Sequence, residues 1–132
     1  MNKKERQLIF DKYNGLCAYT GKPLDAKWQV DHKLCRLETT CTMTDRDNIE
    51  NMLPTLRIIN HYKRGLFFKE WRERISKLHI RLQTLPNNPK VQKSIKTKAY
   101  LLEVASAFGI TADNPFNGQF YFETLTDKNS II

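Results

Sequence analysis

The chain is predicted to adopt an α+β fold. A strand, a long loop, a second strand and a helix form its centre, with a helix ahead of them and a helical extension behind that ends in a short strand. Three observations predict this. Trp28-Gln29-Val30 and Met52-Leu53 are short β-branched, aromatic or apolar runs separated by a polar stretch. A helical pattern follows from Pro54-Thr55 and stops at Gly65. Farther on, Phe68, Trp71, Ile75, Leu78 and Leu82 step by three and four, which makes one apolar helical stripe. Residues 1–65 are assigned to the core and 66–132 to the extension, packed together as one domain, as a length of 132 residues suggests.

The first helix is announced by Asn2-Lys3-Lys4-Glu5, the spacing of a capping box. It runs through Arg6 to Tyr13 with Leu8 or Ile9 and Tyr13 inward, and Asn14-Gly15 ends it. Cys17 to Leu24 reads as a tight turn containing Gly21-Lys22-Pro23. It lacks the earlier glycine and the following Ser or Thr of a phosphate loop. The strand Trp28–Val30 gives way to a loop at Asp31 and His32. Lys33 to Glu50 carries charges of both signs, among them Arg36 and Arg46, and its length is typical of functional loops. Met52-Leu53 is the second strand, stopped by Pro54, which cannot donate to a ladder.

The stripe helix is ended by Leu85-Pro86-Asn87-Asn88-Pro89. A further helix spans about Val91 to Phe108 before Gly109, with Ile95, Leu102, Ala105 and Phe108 inward. Its first turns hold Lys90, Lys93, Lys96 and Lys98 without an acid among them. Gln119 to Thr124 alternates and reads as the closing strand, and Thr126 to Ile132 as a loose tail.

Composition narrows the function. A formal net charge of +8 favours a polyanionic partner, of which nucleic acid is the commonest. No apolar run approaches the length of a membrane span, so no membrane partner is expected. The basic start has no apolar segment behind it, and three cysteines without a framework suit a reducing cytoplasm.

Chemistry concentrates between Trp28 and Gly65. Asp31 offers a carboxylate and Asn60 a carboxamide oxygen, and Mg²⁺ or Mn²⁺ takes few protein oxygens and keeps several waters. His32, with an ordinary imidazole pKa of about 6.5, is the candidate general base. Asn51 stands across the hairpin to fix its ring, and Lys63, one turn past Asn60, is placed to hold a phosphate oxygen. His61 is the alternative ligand to Asn60, but about 100° separates neighbours on a helix, so both cannot easily face one cation.

Val30-Asp31-His32, Asn48-Ile49-Glu50-Asn51 and Asn60-His61-Tyr62-Lys63, in this order, resemble the HNH endonuclease family with its ββα-metal motif. The resemblance reaches back to Tyr13–Gly21 and covers about the first half of the chain. It is weaker from Leu66 to Ile75 and at Phe120-Tyr121-Phe122-Glu123, which look like small phage or prophage members. It implies Asp31 and Asn60 as ligands of one divalent cation, His32 as general base, Asn51 as the residue orienting it, and DNA cut to a 5′-phosphate and a 3′-hydroxyl. Arg36, Arg57, Arg64, Lys90, Lys93, Lys96 and Lys98 are the candidate nucleic-acid contacts, through phosphates and not bases.

The chain departs from the family at the paired Cys-x-x-Cys knuckles. The corresponding positions read Cys17-Ala18-Tyr19-Thr20 and Leu56-Arg57-Ile58-Ile59, leaving one thiol where structural zinc needs four ligands. No structural zinc is expected. The spacing of Cys35 and Cys41 fits no common template. Leu56 and Ile59 would instead pack beneath the turn, contributing about 1.5–3 kcal/mol each. A different class of reading is an HNH-like DNA-binding module without catalysis. Another is an accessory protein with a phage-encoded packaging partner. Oligomeric state, site preference, DNA against RNA, and nick against double-strand cut stay open.

Overall fold

The structure, a computed structural model, describes residues 1–33 and 48–130, with the backbone alone for 126–130. The described residues form helices and a two-stranded antiparallel sheet, an α+β arrangement. They group into two compact units: residues up to Trp71 together with those from Gln119 onward, and residues Arg72–Gly118.

In the first unit, helix α1 spans Lys3–Asp11. Its capping box forms as expected: Asn2 Oδ1 accepts from the Glu5 amide at 2.8 Å, and Glu5 Oε2 from the Asn2 amide at 3.4 Å. Asn14 and Gly15 follow with φ of 56° and 78°, and a Cβ at Gly15 would lie 3.0 Å from the Phe10 ring. Ile9 packs with Trp28 and Met52, with Phe10, Leu24 and Val30 alongside, whereas Leu8 is exposed. The Arg6 guanidinium lies 3.8 Å over the Trp28 ring and donates to the Trp28 carbonyl at 2.6 Å, tying α1 to the residue before the first strand.

Strand β1 is Gln29–His32 and β2 is Met52–Thr55. They pair antiparallel with Gln29 opposite Thr55, Val30 opposite Pro54, Asp31 opposite Leu53 and His32 opposite Met52. Two expectations are corrected here. Asp31 and His32 lie in the strand and not in the loop after it, and β2 continues through Pro54. Ladder bonds alternate from the Lys33–Asn51 bond, so the Val30–Pro54 pair exchanges none; the missing Pro54 amide breaks no rung, and the Pro54 carbonyl accepts from the Ala18 amide at 2.8 Å. A single 3-10 turn, Ile49–Asn51, leads into β2. Most of the long loop, including Arg36, Arg46, Cys35 and Cys41, lies outside the described residues.

Helix α2 spans Arg57–Lys63, capped by Leu56 and ended at Arg64, whose φ is 56°. It starts later than Pro54-Thr55 because those residues belong to the ladder, and the left-handed stop falls one residue before Gly65.

The C-terminal segment overturns the predicted closing strand and loose tail. Residues Tyr121–Ser130 form a helix. The first amides of a helix lack partners within it. Here the Tyr121 amide donates to the Tyr19 carbonyl (3.1 Å), the Phe122 amide to the Ala18 carbonyl (2.8 Å), and the Phe120 amide to Glu123 Oε1 (2.8 Å). Phe120 and Phe122 are both buried, one just before the helix and one in its first turn, which produces the alternation mistaken for a strand. With Tyr19, Phe68 and Trp71 they form an aromatic cluster. Tyr19 meets Phe120 edge-on at 5.0 Å and Trp71 at 5.6 Å, and Trp71 stacks on Phe120 at 5.8 Å.

The stripe helix is two helices, α3 (Phe68–Ser76) and α4 (Leu78–Gln83), interrupted only at Lys77, where ψ is −2°. Its apolar positions Trp71, Ile75, Leu78 and Leu82 are buried as the spacing requires. In the second unit α4 packs with α5, Gln92–Phe108, which ends at Gly109 in the left-handed conformation (φ 74°). The buried face of α5 is Leu101, Val104 and Ala105. Ile95 and Leu102, expected inward, are 41% and 47% exposed, so the stripe is rotated from the sequence assignment. Phe108 meets Phe116 edge-on at 6.0 Å, and Gln83 Nε2 donates to the Ala112 carbonyl at 2.8 Å.

Candidate active site

The first unit brings together residues from the turn at Tyr19, strand β1 and helix α2. Gln29 and Asp31 are two apart on a strand and share a face, and Asn60 and Lys63 are three apart on a helix and share a side. The two rows meet in register. Asn60 Nδ2 donates to Gln29 Oε1 at 2.9 Å, and Lys63 Nζ stands 3.4 Å from Asp31 Oδ1 and 3.3 Å from Oδ2.

Asp31 is buried, and a buried carboxylate needs partners. Among the described residues it has the Lys63 ammonium and the Tyr19 hydroxyl, which donates to Oδ2. Burial first, and then the charge of Asp31, hold the Tyr19 phenol well above its usual range, so it stays a protonated donor. Lys63 is 2% exposed, and its ammonium also reaches the Leu66 carbonyl at 3.3 Å. Lys63, expected to hold a phosphate oxygen, is buried and paired with Asp31.

His32 is the last residue of β1, half-buried, opposite Met52. Strand alternation assigns it to the face of Val30, away from the Asp31 face. Asn51 is buried one ladder step beyond Met52, and its carbonyl accepts from the Lys33 amide at 2.8 Å. His61 is exposed on α2, while Asn60 faces Gln29.

Lys12 was absent from the sequence-derived candidates. Its Nζ donates to the carbonyls of Ile49 (3.2 Å), Glu50 (3.0 Å) and Met52 (3.0 Å), which surround Asn51. Burial lowers the pKa of this lysine, opposed by the charge of Glu50. Tyr19 was missed too. It lies inside the turn that corresponds to a zinc knuckle, and only its distance from an acid in the fold reveals its part. That turn is closed by backbone bonds from Cys17 to Lys22 and from Gly21 to Cys17, both 2.8 Å, and the buried Cys17 thiol lies 3.7 Å from Thr55 Oγ1. Ile59 is fully buried and Leu56 half-buried.

No family model, characterised protein or solved structure matches the chain. What these residues can do is set by their own geometry.

Asp31 and Asn60 carry oxygen atoms of the kind a hard divalent cation binds. A carboxylate has about four lone-pair sites, so Asp31 retains acceptor capacity beyond Tyr19 and Lys63. With Asn60 Nδ2 turned to Gln29, the carboxamide oxygen is the other end of that group. The Lys63 charge offsets that of Asp31, which would weaken the pull of its carboxylate on a cation.

Of the expected nucleic-acid contacts, Arg57 and Arg64 are exposed at the two ends of α2 in the first unit. Lys90, Lys93 and Lys96 are exposed in the second unit. Lys98 is half-buried and its ammonium donates to the carbonyls of Pro86 and Asn87, both at 2.9 Å, so it secures the turn ahead of α5. Arg36 lies outside the described residues.

Proposed function

We propose that this chain is a metal-dependent DNA endonuclease of the HNH type, hydrolysing phosphodiester bonds with His32 as general base. The observation that supports this reading is the docking of α2 on the Asp31 face of β1, where Asn60 bonds Gln29 and Lys63 pairs with Asp31. Bound Mg²⁺ or Mn²⁺ would supply Lewis-acid polarisation of the phosphoryl group and stabilise the leaving oxygen.

The chain's own residues do the rest. His32 takes a proton from the attacking water through the neutral imidazole, with Asn51 orienting the ring. Neighbouring residues of a strand project to opposite faces, so a phosphate at the end of β1 would have His32 on one side and Asp31 with Asn60 on the other. In-line displacement needs that division: water activated opposite the leaving oxygen. Tyr19 and Lys63 hold the Asp31 carboxylate in one orientation. Arg57 and Arg64 contact backbone phosphates near this site and add salt-dependent affinity. One such site per chain produces a nick.

A second reading, a DNA-binding module of the same shape without catalysis, is favoured by one feature: Asp31 is already charge-balanced by a buried lysine. The accessory role beside a phage packaging partner is compatible with either. Supercoiled plasmid incubated with the purified protein separates the first two readings. Conversion to the nicked circle with Mg²⁺, Mn²⁺ or Co²⁺, abolished by chelation, is the expected result. Plasmid that is retarded on a gel but left uncut with all three metals supports the binding module and sinks the nuclease.

A further inference from the structure

We infer that Lys12 is a positioning residue for this site, acting through the turn that carries Asn51; the inference rests on the nuclease reading. Asn51 ends the 3-10 turn Ile49–Asn51, the first described structure after the long loop. A turn this short has little hydrogen bonding of its own. Asn48 Oδ1 accepts from the Glu50 amide at 2.9 Å, the Asn51 amide donates to the Asn48 carbonyl at 2.9 Å, and the Met52 amide returns to the Ile49 carbonyl. The carbonyls of Ile49, Glu50 and Met52 then converge on one ammonium, that of Lys12, just past the end of α1.

Lysine is suited to this task. Its ammonium has three donors and no acceptor, and here three carbonyls take them. Charge-assisted bonds are roughly twice as strong as neutral ones. Because α1 is held by its capping box, by Ile9 and by the Arg6–Trp28 stack, Lys12 extends from a fixed support. It thereby fixes the backbone on both sides of Asn51, and with it the side chain that orients His32.

The test uses the full chain with Lys12→Met and Lys12→Arg, in wild-type and Asn51→Ala backgrounds. Two quantities are read: amide hydrogen exchange at Lys33, Asn51 and Met52, and kcat and KM for plasmid nicking. In Lys12→Met, exchange at these three amides is expected to accelerate at least tenfold relative to Val30. A misplaced reacting group can cost up to about 100-fold in rate, so kcat should fall by about ten- to a hundredfold with KM little changed. Lys12→Arg should recover part of both. In the Asn51→Ala background, Lys12→Met should cost no further kcat, since the residue it positions is gone. An equal kcat loss in both backgrounds, or exchange unchanged by Lys12→Met in an enzyme that cuts, overturns the role of Lys12 and leaves the nuclease reading intact. Plasmid left whole by the wild type removes the nuclease reading, and this role with it.

Discussion

His32→Ala is expected to reduce plasmid nicking by about 10²- to 10⁴-fold, the range typical for loss of a positioned general base. The fold should be unaffected, because His32 is half-buried at the end of β1 and the ladder there is made by backbone groups. Initial rates at saturating Mg²⁺ or Mn²⁺, with circular dichroism as the control, measure the effect. The loss should appear in kcat, since His32 is asked to move a proton and not to hold DNA. A variant cutting within a factor of about three of wild type would remove His32 from the base role, the 10²-fold lower limit being far outside that margin.

The second large effect is on stability. Lys63→Met should lower the unfolding free energy by about 3–5 kcal/mol, the usual cost of removing one partner of a buried ion pair. The physical reason is local. Lys63 is 2% exposed and Asp31 8% exposed, so without the ammonium the buried carboxylate is left with the Tyr19 hydroxyl as its close polar partner among the described residues. Asp31→Asn combined with Lys63→Met removes both charges together and should be markedly less destabilised than Lys63→Met alone, a coupling that urea denaturation of the two proteins reads directly. Exposed Arg57→Ala on the same helix should shift stability by no more than about 0.5 kcal/mol. A Lys63→Met protein as stable as wild type would show that Asp31 does not depend on this partner.

Local features of this fold are readable from sequence because their causes lie within a few residues. Asn2 and Glu5 form their capping box, and the apolar spacing from Trp71 to Leu82 predicts burial correctly even though the helix breaks at Lys77. Where the cause is distant, the sequence misleads. Phe120 and Phe122 alternate like a strand, but their segment is helical because its first amides find the carbonyls of Ala18 and Tyr19. Pro54 looks like a strand terminator, but its pair with Val30 exchanges no ladder bond, so no partner asks for its amide. Ile95 and Leu102 look like core, but Leu101 and Val104 take the buried face of α5.

The site divides in the same way. Asp31, His32, Asn51 and Asn60 stand out as residue types at a recognisable spacing. Tyr19 and Lys12 do not, because one bonds a carboxylate on another element and the other bonds backbone carbonyls, which leave no mark in the identity of the residues that own them. Which neighbours Asn60 and His61 meet is likewise a property of the folded helix: Asn60 bonds Gln29, and His61 is exposed.

We propose that Asp31 and Asn60 hold one divalent cation, with His32 the next residue along β1. Titration of the protein with Mn²⁺, followed by the loss of the free-ion electron paramagnetic resonance signal, tests it most directly. One Mn²⁺ per chain is predicted for wild type and for His61→Ala, weaker binding for Asn60→Ala, and none for the Asp31→Asn, Lys63→Met double variant, which removes the carboxylate without stranding a buried charge. Absence of binding in the wild type, or binding that survives in the double variant, would contradict the account.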